Sequence, residues 1–535
     1  MAVAAAVATA CSSDDSGGGS DGSGSDGSGA SGTTAGPGTT TEVDLPAVPD
    51  GLPDDLFALG VASGDPLPDS VILWTRLVAD PLATDGGVGA EPIPVRWEIS
   101  TDEEFSDVVA HGGTVTDVAL AHSVHIDPSG LAPDSWYWYR FTVGDRVSPV
   151  GRTRTAPAAG SSPDRLRFAF ASCQNMQAGH WSAHRRLVEE EIDLVVFLGD
   201  YIYEDSPNTG AVRTYRSPAP VDLDSYRQRW GDYKSDPDLQ AVHAAVPWVN
   251  TWDDHEVVNN YAGLVPEGVS ADDEAAIAEF VERRRAAYQV FYEHLPLRLD
   301  PPDEDDFVLH RSVAWGDLAN FVVLDTRQHR SDQIEGIPGL PADAGPITAE
   351  ARDESRTILG PEQEAWLGEE LSATEARWNV IAQAVVMAPF PFLAEVYNLD
   401  QWDGYPAARR RLLEQLDGVS NPVVISGDVH LSALGHIPSD PADPASQPLA
   451  TEIVGTSISS TFPADFVDLI ETTASALPYV SYVNAKERGY VVCDLTSDEL
   501  RIDYRVVSTT STPDAEVETR ASYVVPAGTV VPQPT

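Results

Sequence analysis

The sequence predicts an α/β protein that is preceded by a small all-β domain. Short segments that alternate apolar and polar residues fill the chain from about residue 55 to residue 157, which is typical of half-buried strands. From residue 164 onward, continuous apolar strands are interspersed with segments of helical periodicity, which is typical of buried parallel sheets. With 535 residues, the chain is long enough to bury a large core.

Residues 1–11 read MAVAAAVATAC, a run of small apolar residues that ends at Cys11. This segment resembles the end of a bacterial lipoprotein signal, in which Cys11 would carry the lipid. The positively charged leading region of such a signal is missing, and the alternative is an uncleaved flexible tail. We favour a bacterial protein that is exported and is extracellular or lipid-anchored at the cell surface.

Residues 12–54 consist largely of Ser, Gly, Asp, Thr, Ala and Pro, a composition that buries too little apolar surface to order a chain. We interpret this segment as a disordered linker. Residues 55–157 are predicted to form an N-terminal β-sandwich domain of the immunoglobulin or fibronectin kind. Its strands are predicted at SVILWTRL, PVRWEIS, HSVHID and WYWYRFTVG.

Residues 164–510 are predicted to form the α/β domain. RLRFAFASC and DLVVFLGD read as buried strands, and HWSAHRRLVEEE between them has helical spacing, so the three form a β-α-β unit. Near the end of the domain, RGYVVCDLTSDELRIDYRVV reads as two strands about a turn that close one edge of the sheet. The remaining residues, 511–535, are predicted to be a C-terminal tail. Further buried strands are predicted at VPWVNTWDD, LANFVVLDTR, WNVIAQAVVMAP, NPVVISGDVH and EIVGTSIS.

The formal net charge is −51, from 84 acidic and 33 basic residues. Such a surface repels the phosphates of nucleic acids and anionic bilayers, so neither is an expected partner. Contact with a membrane is expected only through the lipid anchor at Cys11, because the sequence contains no run of about eighteen apolar residues that could span a bilayer. Any site that binds phosphate needs local cations to reverse the field.

Residues that can bind metals follow four of the predicted buried strands. FAFAS leads into Cys173, VVFLG into Asp200, WVNTW into Asp253 and Asp254, and VVISG into Asp428 and His430. Because the carboxyl ends of strands form the ligand crevice of α/β sheets, these side chains are expected to converge. Each has an ordinary alternative explanation: a buried thiol, a turn cap, a helix cap or a hydrogen-bonded loop histidine. Their repetition at four strand ends favours a metal site.

The chemistry of these residues indicates a mixed metal centre. A bridging carboxylate such as Asp200 can hold two cations about 3.5 to 4 Å apart, the arrangement that clamps a phosphoryl group. Hard oxygen ligands favour iron, manganese, calcium or magnesium, whereas a thiolate beside a phenolate favours a redox-capable transition metal.

Three motifs resemble those of known phosphoesterases. GDYIY at 199–203 resembles the glycine-aspartate-any-any-tyrosine motif of purple acid phosphatases. DDHE at 253–256 and GDVH at 427–430 are similar to the glycine-asparagine-histidine-glutamate and glycine-histidine-any-histidine motifs of metallophosphoesterases. The whole set resembles the PhoD-type alkaline phosphatases and phosphodiesterases over about residues 55–510. The other motifs that carry this resemblance are GVASGDPLPDSVILWTR at 60–76, SCQ at 172–174 and LDTR at 324–327.

The resemblance implies a fold and a reaction. The α/β domain would be a calcineurin-like metallophosphoesterase β-sandwich with flanking helices. The enzyme would hydrolyse small-molecule phosphate monoesters, diesters or both with Fe(III) and Ca²⁺. Cys173, Asp200 and Tyr203 would bind the ferric iron, with Asp200 shared with calcium. The full set of implied metal ligands is Cys173, Asp200, Tyr203, Asp254, Asp428 and His430.

The resemblance also implies that His255 contacts the substrate and stabilises charge or assists the leaving oxygen. Asn175 and Asn259 are candidate phosphate contacts. Arg327 directly follows a predicted strand and is a further candidate substrate contact, with a structural ion pair as its alternative.

Two other functions compete with this interpretation. The same metal centre could serve a lipid headgroup ester, as in a phospholipase D-like phosphodiesterase. A surface binding protein without turnover is the second alternative, but a scaffold without activity has no need of a whole ligand set.

Overall fold

The computed structural model describes residues 44–303, 307–337, 344–393 and 395–535. The predicted signal remnant with Cys11 and most of the predicted linker lie outside these residues. Within them the α-helices are α1 (Ser182–Val188), α2 (Leu223–Lys234), α3 (Pro237–Ala245), α4 (Glu274–His294), α5 (Gly360–Ala373), α6 (Pro406–Leu416) and α7 (Val467–Ser475). None of these helices carries an apolar run long enough to cross a bilayer.

The strands fall into two groups along the chain. Those of the predicted N-terminal domain are β1 (Val61–Gly64), β2 (Ile72–Arg76), β3 (Pro94–Ser100), β4 (Val108–Val115), β5 (Ser123–Ile126), β6 (Trp136–Val143), β7 (Arg146–Val147) and β8 (Gly151–Arg154). Those that follow are β9 (Leu166–Ala171), β10 (Leu194–Leu198), β11 (Trp248–Thr251), β12 (Arg311–Trp315), β13 (Ala319–Val323), β14 (Ala344–Gly345), β15 (Trp378–Ala382), β16 (Pro391–Leu393), β17 (Val396–Asn398), β18 (Pro422–Ser426), β19 (Ser432–Pro438), β20 (Pro448–Val454), β21 (Val480–Asn484), β22 (Arg488–Leu495), β23 (Glu499–Val507), β24 (Val517–Pro526) and β25 (Gln533–Pro534).

Two large sheets pack face to face. One has ten strands in the order β25-β24-β23-β22-β9-β10-β11-β1-β2-β5, and the other has seven in the order β12-β13-β15-β18-β20-β19-β21. Strands β9, β10 and β11 are parallel, as are β13, β15, β18 and β20. Phe168 and Val196 of the first sheet share a hydrophobic cluster with Phe321, Val380 and Ile425 of the second. The α/β class is therefore confirmed.

The N-terminal β-rich segment is divided between two sheets. β3, β4, β6, β7 and β8 form a separate sheet, with Val95, Ile99 and Phe141 in its core. β1, β2 and β5 instead extend the ten-stranded sheet, because β1 pairs in parallel with β11 through Gly64 and Trp248. All four residues of β1 are buried, so this strand has no face suited to solvent. The segment is thus joined to the α/β unit by main-chain pairing.

The C-terminal residues form strands where the sequence predicted a tail. β24 pairs antiparallel with β23 over most of its length, and β25 pairs with β24. β24 therefore covers the edge that β22 and β23 were predicted to close. Val525 of β24 is fully buried in the cluster between the two large sheets, whereas Glu518, Thr519 and Arg520 are exposed. Because the first half of β24 is polar, its sequence reads as a tail.

Candidate metal centre

The predicted ligand residues lie at the carboxyl ends of strands from both large sheets. Cys173 follows β9, Asp200 follows β10 and Asp254 follows β11, while Asp428 and His430 follow β18 of the opposite sheet. Parallel strands end at a common edge, so the loops that leave them meet. The site therefore lies where the two packed sheets open at one end.

The side chains form three overlapping groups, within each of which the potential ligand atoms lie within 4.8 Å of one another. The groups are Cys173 with Asp200 and His430, then Asp200 with Asp254 and His255, and then Asp200 with Asp253, Asp254 and Asp428. Asp200 belongs to all three groups, as a bridging carboxylate would.

Tyr203 lies in the same cluster. Its hydroxyl donates a hydrogen bond to Oδ2 of Asp200 at 2.8 Å and lies 3.2 Å from Nε2 of His430. The structure thus brings all six predicted ligands together, although their binding of metal stays a prediction. Asp253 also lies among them; the sequence placed it among the residues that can bind metals, but the implied ligand set did not include it.

The backbone is left-handed at four of the predicted ligands. The φ angles are +58° at Cys173, +56° at Asp200, +59° at Asp428 and +55° at His430. For residues with a Cβ atom this conformation is unfavourable by about 1–2 kcal/mol, and such strain is concentrated at functional sites. It is maintained by cross-loop hydrogen bonds such as that from the Cys173 amide to the Gly199 carbonyl, at 3.1 Å.

The carboxylate of Glu256 links the loop that follows β10 to the loop that follows β11. Its carboxylate accepts hydrogen bonds from the backbone amides of Asp200 at 3.1 Å, Tyr201 at 2.7 Å and Asp253 at 2.9 Å. Glu256 is 1% exposed, so water does not compete for these bonds. Glu256 is the last residue of the DDHE motif and was not among the predicted site residues.

Several carboxylate oxygens of the cluster are buried without a hydrogen-bond partner. Oδ1 of Asp200, Oδ2 of Asp253 and Oδ1 of Asp254 are buried and have no hydrogen-bond partner among the described residues. Burial and the neighbouring carboxylates raise the pKa of Asp200 well above its ordinary value and that of Asp428 to about 6. Buried oxygens of this kind are stabilised when they coordinate a cation. The residues present therefore fit a metal centre.

Arg327 lies beneath the carboxylates and does not line the cleft. Its side chain is 0% exposed, and its guanidinium forms a forked pair with Asp400 at 2.8 and 2.7 Å. Its Nε also donates to Asp253. The structural ion pair that was the alternative explanation for Arg327 is thus present. Arg327 holds Oδ1 of Asp253, whereas Oδ2 of Asp253 has no hydrogen-bond partner among the described residues.

His255 is held by Glu204, which directly follows the GDYIY motif and was not among the predicted site residues. Nδ1 of His255 lies 2.6 Å from Oε2 of Glu204, and the imidazole lies 4.1 Å from the ring of Tyr203, centre to centre. Burial alone would lower the pKa of His255, but the carboxylates of Glu204, Asp254 and Asp200 outweigh it and raise that pKa well above its ordinary value. The imidazole is therefore suited to donate a proton.

A cleft of about 400 Å³ opens at the cluster, and Asp254, His255, Asp428, His430 and Asn259 lie on its surface. The side-chain amide of Asn259 donates a hydrogen bond from Nδ2 to Oε2 of Glu267 at 2.7 Å. The other predicted phosphate contact, Asn175, does not line this cleft; it caps a short 3₁₀ turn and its amide faces Asp205 at 3.3 Å.

A larger groove of about 1250 Å³ lies elsewhere, lined in part by Arg352, Asp403 and Arg410. None of the predicted site residues lines it. The chemistry therefore places the site in the smaller cleft.

Comparison with known families identifies the chain. The model of the PhoD-like phosphatase family matches residues 168–504, and that of the PhoD-like phosphatase N-terminal domain matches residues 46–157. The chain belongs to the PhoD-like phosphatase family. The predicted resemblance is thereby confirmed, and with it the class of enzyme, a phosphoric ester hydrolase.

Individual relatives agree with the family match. This PhoD-like phosphatase is 44% identical over 482 residues to alkaline phosphatase D of Bacillus subtilis (strain 168), which covers 88% of this chain and 80% of that protein. It also superimposes on a solved structure of PhoD with a TM-score of 0.83 at 43% identity, covering 90% of this chain and 92% of the other.

Proposed function

We propose that this PhoD-like phosphatase is an exported alkaline phosphatase that hydrolyses phosphate monoesters, diesters or both at a centre of Fe(III) and Ca²⁺. The observation that carries the proposal is the convergence of the six predicted ligands around carboxylate oxygens that have no hydrogen-bond partner among the described residues. Its similarity over most of the chain to an alkaline phosphatase supports the reaction.

The donor set divides into two sides. Cys173, Tyr203 and His430 lie on one side of Asp200 and offer a thiolate, a phenolate and an imidazole, which suit ferric iron. Asp254 and Asp428 lie on the other side and offer only oxygens, which suit calcium. Asp200 would then be shared between the two metals.

The reaction needs positioning and charge neutralisation more than covalent chemistry from the protein. The metal ions, when bound, would offset the negative charge on the phosphoryl oxygens. His255, oriented through Nδ1 by Glu204, is left with Nε2 to donate a proton to the leaving oxygen. Asn259 is on the cleft surface and is the better placed of the two asparagines to contact the phosphate.

The proposal also includes export of the protein and a calcineurin-like fold of its catalytic unit. Export with a lipid anchor at Cys11 is supported by the small apolar run and the Ser/Gly/Asp-rich linker that follows it. A calcineurin-like arrangement of the catalytic unit is supported by the two sheets that share one core.

The proposal is tested by hydrolysis of an aryl phosphate monoester and an aryl phosphate diester, measured side by side at alkaline pH. Removal of calcium with a chelator should abolish both activities, and added calcium should restore them. Activity that survives complete removal of calcium and iron would contradict the proposal, as would the absence of hydrolysis in protein that contains both metals.

A further inference from the structure

One side of the catalytic cleft is apolar. Val429, which lies between two predicted ligands in the chain, lines the cleft together with Phe462, Phe466 and Leu469. Val429, Phe462 and Phe466 all pack against the same hydrophobic cluster, so they lie on a common side. This apolar wall, defined by these four residues, therefore begins directly beside the candidate metal centre.

The apolar wall is a fixed part of the fold. Phe462 is only 9% exposed, and the cluster behind it contains Val386, Leu431 and Ile470. Phe466 ends a 3₁₀ turn that runs directly into α7. Apolar side chains that are anchored from behind and open to a cleft mark binding surfaces in soluble proteins.

The rest of the cleft is acidic. Four of its lining residues are carboxylates, and none of the described lining residues is lysine or arginine. Arg327 and Arg330 lie nearby, but both are buried and paired with Asp400. Among the described lining residues, the imidazole of His255 is the one basic group with a raised pKa, and the proposed reaction uses it at the leaving oxygen. No lysine or arginine among these residues is left to neutralise a second anionic group on a substrate, and the net charge of −51 adds to the repulsion.

We infer that the apolar wall binds an uncharged apolar or aromatic group that is joined to the phosphate through the second, non-scissile ester oxygen. This inference rests on the proposed function, because that function places the phosphoryl group next to Asp428 and His430. The preferred substrates are phosphate esters that carry one neutral organic group beside the scissile bond. Esters with further anionic groups, such as nucleoside triphosphates or polyphosphorylated sugars, are disfavoured.

The test compares three diesters that share p-nitrophenol as leaving group and differ only in the second substituent: methyl, 4-carbamoylbenzyl or 4-carboxybenzyl. Burial of the neutral ring should raise kcat/KM about tenfold over the methyl ester. The carboxylate has nearly the same shape as the amide but carries a charge. The kcat/KM of the 4-carboxybenzyl ester should therefore be roughly threefold lower than that of the 4-carbamoylbenzyl ester at low ionic strength, and added salt should reduce this difference.

Variants assign the preference to the apolar wall. Phe466→Ala should bring the ratio of kcat/KM between the carbamoylbenzyl and methyl esters close to one, and Phe466→Leu should restore most of it. Val467→Ala is the matched control, since Val467 is the next residue and does not line the cleft.

Equal rates for the three diesters in the native enzyme would overturn the inference and leave the proposed function intact. The inference would also be overturned if Phe466→Ala and Val467→Ala had the same ratio. If the metal-loaded enzyme hydrolysed none of the diesters and no phosphate monoester, the proposed function would fail and the inference with it.

Discussion

The left-handed backbone at Cys173, Asp200, Asp428 and His430 fixes the direction in which these side chains leave the strand ends. Such a conformation persists only where the surroundings hold it. Glu256 supplies much of that support, because its carboxylate accepts hydrogen bonds from three backbone amides in the loops after β10 and β11. At this scale the metal site therefore depends on a residue that is not itself a predicted ligand.

Replacement of this carboxylate tests its role. Glu256→Gln leaves only one side-chain oxygen for three amides, and an unsatisfied buried donor is unfavourable by about 1–3 kcal/mol. We expect the variant to unfold at lower temperature and to retain less iron and calcium, as measured by thermal denaturation and elemental analysis. Glu267→Gln, at an exposed position on the cleft rim, is the control. Native metal content in Glu256→Gln would show that the hydrogen bonds are dispensable.

Arg327 provides a second test at this scale. Lysine cannot reproduce the forked pairing with Asp400 and the contact with Asp253. If Arg327 positions the carboxylates, Arg327→Lys should raise the calcium concentration needed for half-maximal activity but leave KM near its native value at saturating calcium. If Arg327 contacts the substrate, KM should rise at every calcium concentration. Titration of calcium at several substrate concentrations separates the two results.

The sequence could predict that the candidate ligands converge, but not which residues hold them in place. Cys173, Asp200, Asp254, Asp428 and His430 each directly follow an apolar strand, so their convergence follows from the rules of parallel sheets. Residues that hold the site act across long separations. Glu256 accepts a bond from Asp200, 56 positions away, and Arg327 pairs with Asp400, 73 positions away. No local pattern reports such contacts.

At the scale of elements, the parallel strands of the two packed sheets were predictable because each is a short, mostly apolar run. LRFAFA of β9, LVVFL of β10 and PVVIS of β18 are almost entirely buried. The pairing of β1 with β11 was not predictable, because four small residues carry no information about their partner strand. The polar first half of β24 likewise concealed an element of the larger sheet.

The place of β24 in the core can be tested with one residue. Val525→Asp would put an unpaired carboxylate into the cluster between the sheets, where Val525 is 0% exposed. We expect a loss of at least about 3 kcal/mol in the free energy of unfolding, since burial of a charge without a partner is strongly unfavourable. Denaturant unfolding measures this loss. Thr519→Asp, on the exposed part of the same strand, should change stability little, and equal stability of the two variants would contradict the assignment.

At the scale of the whole molecule, the net charge of −51 shapes how a substrate arrives. A phosphate ester is an anion, so the field of the protein slows its approach, and only the centre of the cleft can attract it. The negative surface therefore lowers the rate of substrate binding, and salt should raise that rate by screening the field.

This effect predicts that kcat/KM for p-nitrophenyl phosphate rises as NaCl increases from about 10 mM to 150 mM at fixed calcium, where the Debye length falls below about 10 Å. A zwitterionic ester, p-nitrophenyl phosphorylcholine, carries no net charge and should respond much less. A decrease of kcat/KM with salt for the anionic ester would show that a local positive potential dominates the approach.

The central claim is that Cys173 and Tyr203 bind ferric iron beside calcium. The most direct measurement is the visible absorption spectrum and the metal content of the purified protein and three variants. We expect iron and calcium with a visible charge-transfer band in the native protein, a bleached or shifted band in Tyr203→Phe, and less iron in Cys173→Ala. Cys493→Ala, which changes a buried strand cysteine outside the centre, should keep both. A native protein without iron, or an unchanged spectrum and iron content in both site variants, would contradict the claim.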